Sequence, residues 1–588
     1  MIATEAPAAR PRTRRISALI ERAVANPWIA YTAIAALQLR VIWNIWKYAD
    51  LTSGDTSYYF LDAASWQHGL HENIVYYPFY DALWGTILAI VHSVYAATII
   101  QRVAIIFAVV LLVLALMRAL LGPALGLLIA AWWAIVPANY DVLYEVHLLG
   151  AVPILLAVLV VVRMPRRAGV GIAVAILLAS AVLVRTELIA AAAILAAALA
   201  VYELRELRAG RRAPRSSYVR AYVVPLTLAL LLIGGAYARS HVQGSEAWGQ
   251  LQAKEEANFC NMYAAAYQEH HPALFTGNPF TECEPLMQHT FGRQKPSLLQ
   301  ASTANPRAVA GFAAWNARMT PVGLQIGLFG ASAFAYDPGF RPVTESSAYV
   351  LLLSVTALEV VLAAVVLLAR GGRLTPRRIP PRTRWIVLTV ASVAAATTLV
   401  ALTSRPWSEY IYGLSICSLI VIGASVLTVL RRMSATRFLA PLALATVLVL
   451  VLVLIVAHSS LYRPAPRPIY EGVEHLQVVQ RRLQVPGSVL VTQENENEIC
   501  NYLAYSYERY CAAMDWQALS SQVTAKESAG QVLDRAHATA VYADAAMLAD
   551  PNVARLVADP GAQGWRQVAR GNGLNGPWRV LIPLGGRS

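Results

Sequence analysis

The chain has 588 residues, of which 57% are hydrophobic and only 14% charged, with a formal net charge of +14. A soluble globular protein carries about 25% charged residues, so this composition, with a mean hydropathy of +0.49, excludes an ordinary soluble globule and describes a polytopic membrane protein with soluble parts. The basic excess does not mark a nucleic-acid binder, because the arginines cluster in short loops between apolar segments, the pattern that orients membrane proteins.

Residues 1–26 carry Arg10, Arg12, Arg14, Arg15 and Arg22 and are expected to be cytoplasmic. No small-residue cleavage site follows them, so the start does not read as a secretory signal. A span needs roughly 20 apolar residues, and the first runs from Trp28 to Trp46. The loop at 47–97 is then external, with an apolar helix from Phe79 to Val94 lying along the membrane surface. Spans two to seven alternate through Arg118, Pro137, Arg163–Arg167, Arg185–Glu187 and the basic stretch 203–220. A long external loop, 239–345, holds Cys260 and Cys283. Four more spans follow, broken by Arg370–Arg384, by Ser404–Tyr410 and by Arg431-Arg432. The count is eleven, and every strongly basic loop then falls on the cytoplasmic side.

The expected organisation is a cytoplasmic basic terminus (1–26), a transmembrane domain (27–459) and an external soluble α/β domain (460–588). In the last, Ser488–Thr492, Ala540–Ala543 and Trp578–Ile582 read as buried strands separated by helices. Five cysteines occur. Cys417 lies in an apolar segment and packs as a small hydrophobe. The local pairs Cys260/Cys283 and Cys500/Cys511 suggest two disulfides in an oxidising compartment.

The chemistry concentrates in three polar patches. The first is Gly54-Asp55-Thr56-Ser57-Tyr58-Tyr59, leading on to Pro78-Phe79-Tyr80. Asp55 sits just past a membrane boundary, and Tyr58, Tyr59 and Tyr80 offer flat amphipathic rings suited to the interface and to sugar faces. The second holds Asp141 and Glu145, four apart and so on one face of a helix. The third comprises charges at span ends, which are costly and therefore functional candidates: Arg185 with Glu187, and Arg405 with Glu409 and Tyr410. An Arg fork there suits a phosphate. The bland alternatives are a structural ion pair for Arg185/Glu187 and an aromatic-belt anchor for Arg405/Glu409. Asp62 and Asp81 read as capping or solvated side chains. His68, His71, His147, His270 and His271 lack ligand spacing and read as ordinary polar surface.

Taken together, these stretches resemble the GT-C glycosyltransferases, in their protein O-mannosyltransferase and aminoarabinose transferase branches. The motifs are Gly54–Tyr59, Pro78-Phe79-Tyr80, Pro137 with Asp141 and Glu145, Leu183-Val184-Arg185-Thr186-Glu187, and Arg405–Tyr410. They cover about the first 200 residues and the Arg405 region. The resemblance implies a GT-C-like fold with a first-loop carboxylate that is the base or binds the acceptor, here Asp55, assisted by Asp141 or Glu145. From the residues themselves, Arg405, with Arg185 as an alternate, is expected to balance a departing phosphate, and Glu187, Glu409, Tyr58, Tyr59, Tyr80 and Tyr410 are expected substrate contacts. The chain departs from the family pattern in carrying a lone Asp55 where many members have adjacent acidic residues. A divalent metal is left open, with no residues assigned to it. The implied partners are a polyprenyl-phosphate-linked sugar donor, a glycan or protein acceptor and the bilayer. The competing expectation is a transporter or flippase of lipid-linked glycans. Transporters usually carry inverted repeats and broken helices, and this sequence shows no repeat and few Gly or Pro interruptions.

Overall fold

The computed structural model describes residues 19–52, 54–67, 77–140, 145–210, 214–240, 244–330, 347–370, 380–433, 436–456, 467–493, 497–504, 511–524 and 526–585. Asp141, His68 and His71 lie outside these residues.

Nine helices among the described residues are long and apolar enough to cross a membrane. They coincide with nine of the expected spans: Pro27–Tyr48, Val94–Leu121, Glu145–Arg163, Arg166–Leu183, Leu188–Arg208, Arg215–Arg239, Ala348–Arg370, Pro381–Thr403 and Tyr412–Arg432. Shorter apolar helices, Pro123–Ile135 and Leu439–Ile455, stand where the remaining two were expected, and Pro78–Val91 stands at the expected surface helix. Local sequence sets the boundaries. Asn26 accepts from the Trp28 amide at 2.9 Å and Pro27 opens the helix, a combination that meets the donors left over at a helix start. The protein is thus a polytopic α-helical membrane protein with a small C-terminal α/β region.

By internal packing the chain forms two compact units. The first contains residues 1–43, 103–236 and 244–461. Its helices 145–163, 166–183 and 188–208 follow one another through turns of a few residues, as do 381–403 and 412–432. Short connections make antiparallel neighbours. The turn at 184–187, the start at Glu145 and the loop 404–411 therefore share one end of the helices. Arg163, Arg166, Arg208, Arg382 and Arg432 lie at the other. Four further helices, Ser245–His270, Cys283–Phe291, Leu298–Ala304 and Pro306–Phe329, form a subdomain around Phe259, Tyr263, Met287, Phe291 and Phe312. Cys260 and Cys283 are bonded within it, with Cα atoms 5.6 Å apart.

The second unit contains residues 44–102, 237–243 and 462–588. Its five strands, β1 (488–492), β2 (511–515), β3 (540–543), β4 (565–573) and β5 (576–583), form one sheet in the order β2-β1-β3-β5-β4. β1 pairs in parallel with β2 and β3, while β5 runs antiparallel to β3 and forms a hairpin with β4. Val491, Trp516, Leu533, Val541, Trp565 and Leu581 fill one core. The helices Asp55–Gln67 and Pro78–Val91 also belong to this unit. Tyr59 and Tyr80 meet edge to face at 5.7 Å, and Phe60 and Trp84 at 5.4 Å. That aromatic packing draws Asp62 and Asp81 inside, at 1% and 0% exposure, so neither is the capping or solvated side chain expected.

Candidate active site

In the first unit, three inter-helix segments bring ionisable side chains together at one end of the helices. Arg185, in the turn after helix 166–183, is buried and ion-paired with Glu187. Its Nη1 contacts Nδ1 of His147, from the first turns of helix 145–163. A guanidinium only donates, so Nδ1 accepts and the ring proton sits on Nε2. Gly150 makes the approach possible: a Cβ there would lie 2.4 Å from Arg185 Cδ. The same guanidinium lies 5.8 Å from the centre of the Tyr410 ring, and the His147 ring lies 4.5 Å from that ring.

Tyr410 stacks on Trp407 at 5.6 Å, and Arg405 lies over Trp407 at 4.4 Å. The result is a continuous ladder, Arg405–Trp407–Tyr410–Arg185, in which cations alternate with aromatic faces, an attraction that grows when the partners are desolvated. Arg405 is buried and ion-paired with Glu269, at the end of helix 245–270. Trp315 Nε1 donates to the other Glu269 oxygen at 3.5 Å. Burial pushes the Glu269 carboxyl up to about 6 against the pull of Arg405, and it depresses Arg405 itself.

Glu409 occupies the same loop. It is 8% exposed, and its Oε1 has no hydrogen-bond partner among the described residues. Burial pushes it up to about 8, with Arg185 pulling it down and Glu145 adding to the rise. Glu145 is itself 3% exposed. The rise favours the protonated acid, which can donate a hydrogen bond, a use of burial seen in enzyme sites generally. Tyr412 closes the loop by donating to the Ala138 carbonyl.

In the second unit, Asp55 is exposed at the first position of helix 55–67, flanked by buried Thr56 and Ser57. Gly54 before it has φ +66°, a turn conformation that a β-carbon disfavours. Tyr58 is half-buried, whereas Tyr59 and Tyr80 are buried in the packing between the two helices.

The sequence-named residues Glu145, Arg185, Glu187, Arg405, Glu409 and Tyr410 thus converge in one unit, and Asp55, Tyr58, Tyr59 and Tyr80 stand in the other. Two participants were not foreseen. His147 was expected at the surface and is 6% exposed. Glu269 carries no local signal, and only the need of a buried arginine for a counter-charge points to such a residue. Among the described residues no three His, Cys, Asp or Glu side chains converge as a metal site would require.

No protein-family model matches the chain, and no curated protein matches it. Solved structures do resemble it. The chain is similar to the Archaeoglobus fulgidus oligosaccharyltransferase crystallised with Zn and sulfate, at 14% identity and a TM-score of 0.40, over 88% of this chain and 67% of that one. The same oligosaccharyltransferase tethered to an acceptor peptide containing the NVT sequon gives 13% identity and a TM-score of 0.38, over 94% and 74%. ArnT from Cupriavidus metallidurans in the apo state gives 11% identity and a TM-score of 0.34, over 97% and 98%. All three are GT-C glycosyltransferase structures, the family that the sequence resembles. Likeness of this degree assigns no residue a role.

Proposed function

We propose that this protein is a membrane-embedded glycosyltransferase that moves a sugar from a polyprenyl-phosphate-linked donor to an acceptor hydroxyl, with inversion at the anomeric carbon. The observation that carries the reading is the Arg405–Trp407–Tyr410–Arg185 ladder. Two buried arginines at one end of a helical bundle, with a neutral carboxylic acid beside them, suit a phosphate at the bilayer interface. Burying those charges is expensive; Glu187 and Glu269 already offset part of the cost, and a leaving phosphate adds charge-assisted hydrogen bonds.

Asp55 is assigned as the general base. It takes the acceptor proton, the acceptor oxygen attacks the anomeric carbon, and the carbon–oxygen bond to phosphate breaks. The electron pair leaves with the phosphate, where Arg185 and Arg405 balance it. Glu409 donates a hydrogen bond to the same group, and Asp141 or Glu145 assists. Tyr58 offers a ring face to a sugar. The basic helix ends are assigned to the cytoplasm, and the C-terminal region to the external side, by the positive-inside rule.

The test is Asp55→Asn, which keeps the shape and cannot take a proton. Mass spectrometry of envelope glycans from cells lacking the gene and re-expressing the variant should show the product absent. Normal product from Asp55→Asn with none from Asp141→Asn or Glu145→Gln would move the base to the second patch. Normal product from all three would remove the transferase reading in favour of transport of lipid-linked glycans.

A further inference from the structure

Three hydrogen bonds from one short helix of the C-terminal region converge on the segment around Asp55, within the second unit. Glu498 Oε1 accepts from the Gly54 amide at 3.1 Å. Asn501 Nδ2 donates to Ser57 Oγ at 2.8 Å, and that hydroxyl donates on to the Gly54 carbonyl at 2.9 Å. The Tyr502 hydroxyl donates to the Thr52 carbonyl at 2.8 Å. Glu498, Asn501 and Tyr502 belong to the helix Asn497–Ala504. Their spacing of three and four puts them on one face. Tyr502 also packs its ring 4.9 Å from Phe60.

The bonded residues bracket Asp55: Thr52 and Gly54 precede it and Ser57 follows. Asn501, Tyr502 and Ser57 are buried, while Asp55 itself is exposed. The arrangement leaves the carboxylate open and immobilises its backbone on both sides. The helix is anchored in turn. Cys500 is bonded to Cys511 at the start of β2, with Cα atoms 5.4 Å apart. Gln480 and Gln484 donate to the Leu503 carbonyl at 2.9 and 3.3 Å.

We propose that helix 497–504 is the positioning element for Asp55, with Glu498, Asn501 and Tyr502 as positioning residues and the Cys500–Cys511 disulfide as the brace that ties them to the sheet. This rests on the reading of Asp55 as the base. It gives the C-terminal region a part in the reaction: the region holds the turn that carries the carboxylate. It also places a second carboxylate, Glu498, one residue from Asp55 through the Gly54 amide, in a chain whose first loop carries a lone Asp at that point. A base displaced by about 1 Å can lose about a hundredfold in rate, so the helix controls turnover without touching substrate.

The experiment uses the full-length chain in gene-deleted cells and, purified in detergent, in hydrogen–deuterium exchange of the 54–60 segment. Glu498→Ala should lower glycan product by about 10- to 100-fold and raise exchange at 54–60. Glu498→Gln keeps the acceptor for the Gly54 amide and should restore both. Tyr502→Phe and Asn501→Ala should act in the same direction as Glu498→Ala, each more weakly. The Cys500→Ser, Cys511→Ser double variant should raise exchange at 54–60 as well. Asp55→Asn inactive while Glu498→Ala keeps wild-type product and protection would overturn the positioning role and leave the base assignment standing. Asp55→Asn fully active would overturn the base assignment and the positioning role with it.

Discussion

Arg405 and Glu269, 136 residues apart in the chain, form an ion pair whose side chains are only 6% and 5% exposed. It joins the loop 404–411 to the end of helix 245–270, so the ladder cation is held from the subdomain that contains Glu269 as well as by Trp407 of its own loop. Removing one partner of such a pair leaves a buried charge uncompensated and costs about 3–5 kcal/mol. Glu269→Ala should therefore lower the thermal unfolding temperature in detergent clearly. Glu269→Ala combined with Arg405→Met should recover most of the loss. Equal unfolding temperatures for Glu269→Ala and the wild type would mean that solvent reaches Arg405 and that the pair holds nothing.

Arg185 makes a different kind of contact. It meets Glu187 through Nε, His147 through Nη1 and the Tyr410 face through the plane of the guanidinium. Lys supplies one point charge and no plane. Arg185→Lys should weaken binding of a polyprenyl-phosphate probe by about 10-fold or more, since a fork contact to a charged group contributes about 1.5–3 kcal/mol. His147→Ala should weaken it less, because it removes only the contact that orients Arg185. Unchanged binding in Arg185→Lys and Arg405→Lys together would take the ladder out of the donor site.

Orientation can be read by labelling. Lys295 is exposed and paired with Glu284 at 2.8 Å on the surface of the polar subdomain, and Arg432 is exposed at the end of helix 412–432. In a background where Cys417 is Ser, Lys295→Cys should react with an impermeant maleimide on intact cells, and Arg432→Cys only after lysis. The reverse pattern would invert the topology and place the ladder in the cytoplasm.

Periodicity and charge made most of the helical part legible. Long Ala/Val/Leu runs separated by arginine clusters give span positions directly, because the bilayer imposes length and apolarity on each segment separately. The strands β1, β3 and β5 were legible for a similar local reason, since Val, Leu, Ile and Tyr dominate them. β2, Cys511-Ala-Ala-Met-Asp515, has no β-branched residue. β4 is a polar edge strand, Trp565–Gly573. Neither carries a local strand signal, and both form through pairing with neighbours. At the site, Arg185, Glu187, Arg405 and Glu409 stood out as charges beside apolar runs. His147 and Glu269 did not, because their burial is decided by elements distant in sequence. The two disulfides were legible because each pair is local, 23 and 11 residues apart.

Glu409 should give the site a pH signature. Burial pushes its carboxyl in the folded protein up to about 8 from an ordinary value of 4.5. Between those values the folded protein holds a proton that the unfolded chain has lost. Stability therefore falls as pH rises through this window: no cost below the ordinary value, and the full cost once pH passes the folded value. Glu269, pushed up to about 6, has the same sign and is mostly ionised before Glu409 is half-ionised. Thermal unfolding followed from about pH 5 to about pH 9 should thus show a decline in two stages. Glu409→Gln should flatten the upper stage and make the lower one shallower, and Glu269→Gln should make only the lower one shallower. Donor affinity should fall with the upper stage as well, because an ionised Glu409 repels a phosphate that the neutral acid would hydrogen-bond. A flat unfolding profile above about pH 7, with Glu409→Gln superimposable on it, would show that Glu409 is already ionised and solvated, and would remove the neutral donor from the proposed phosphate site.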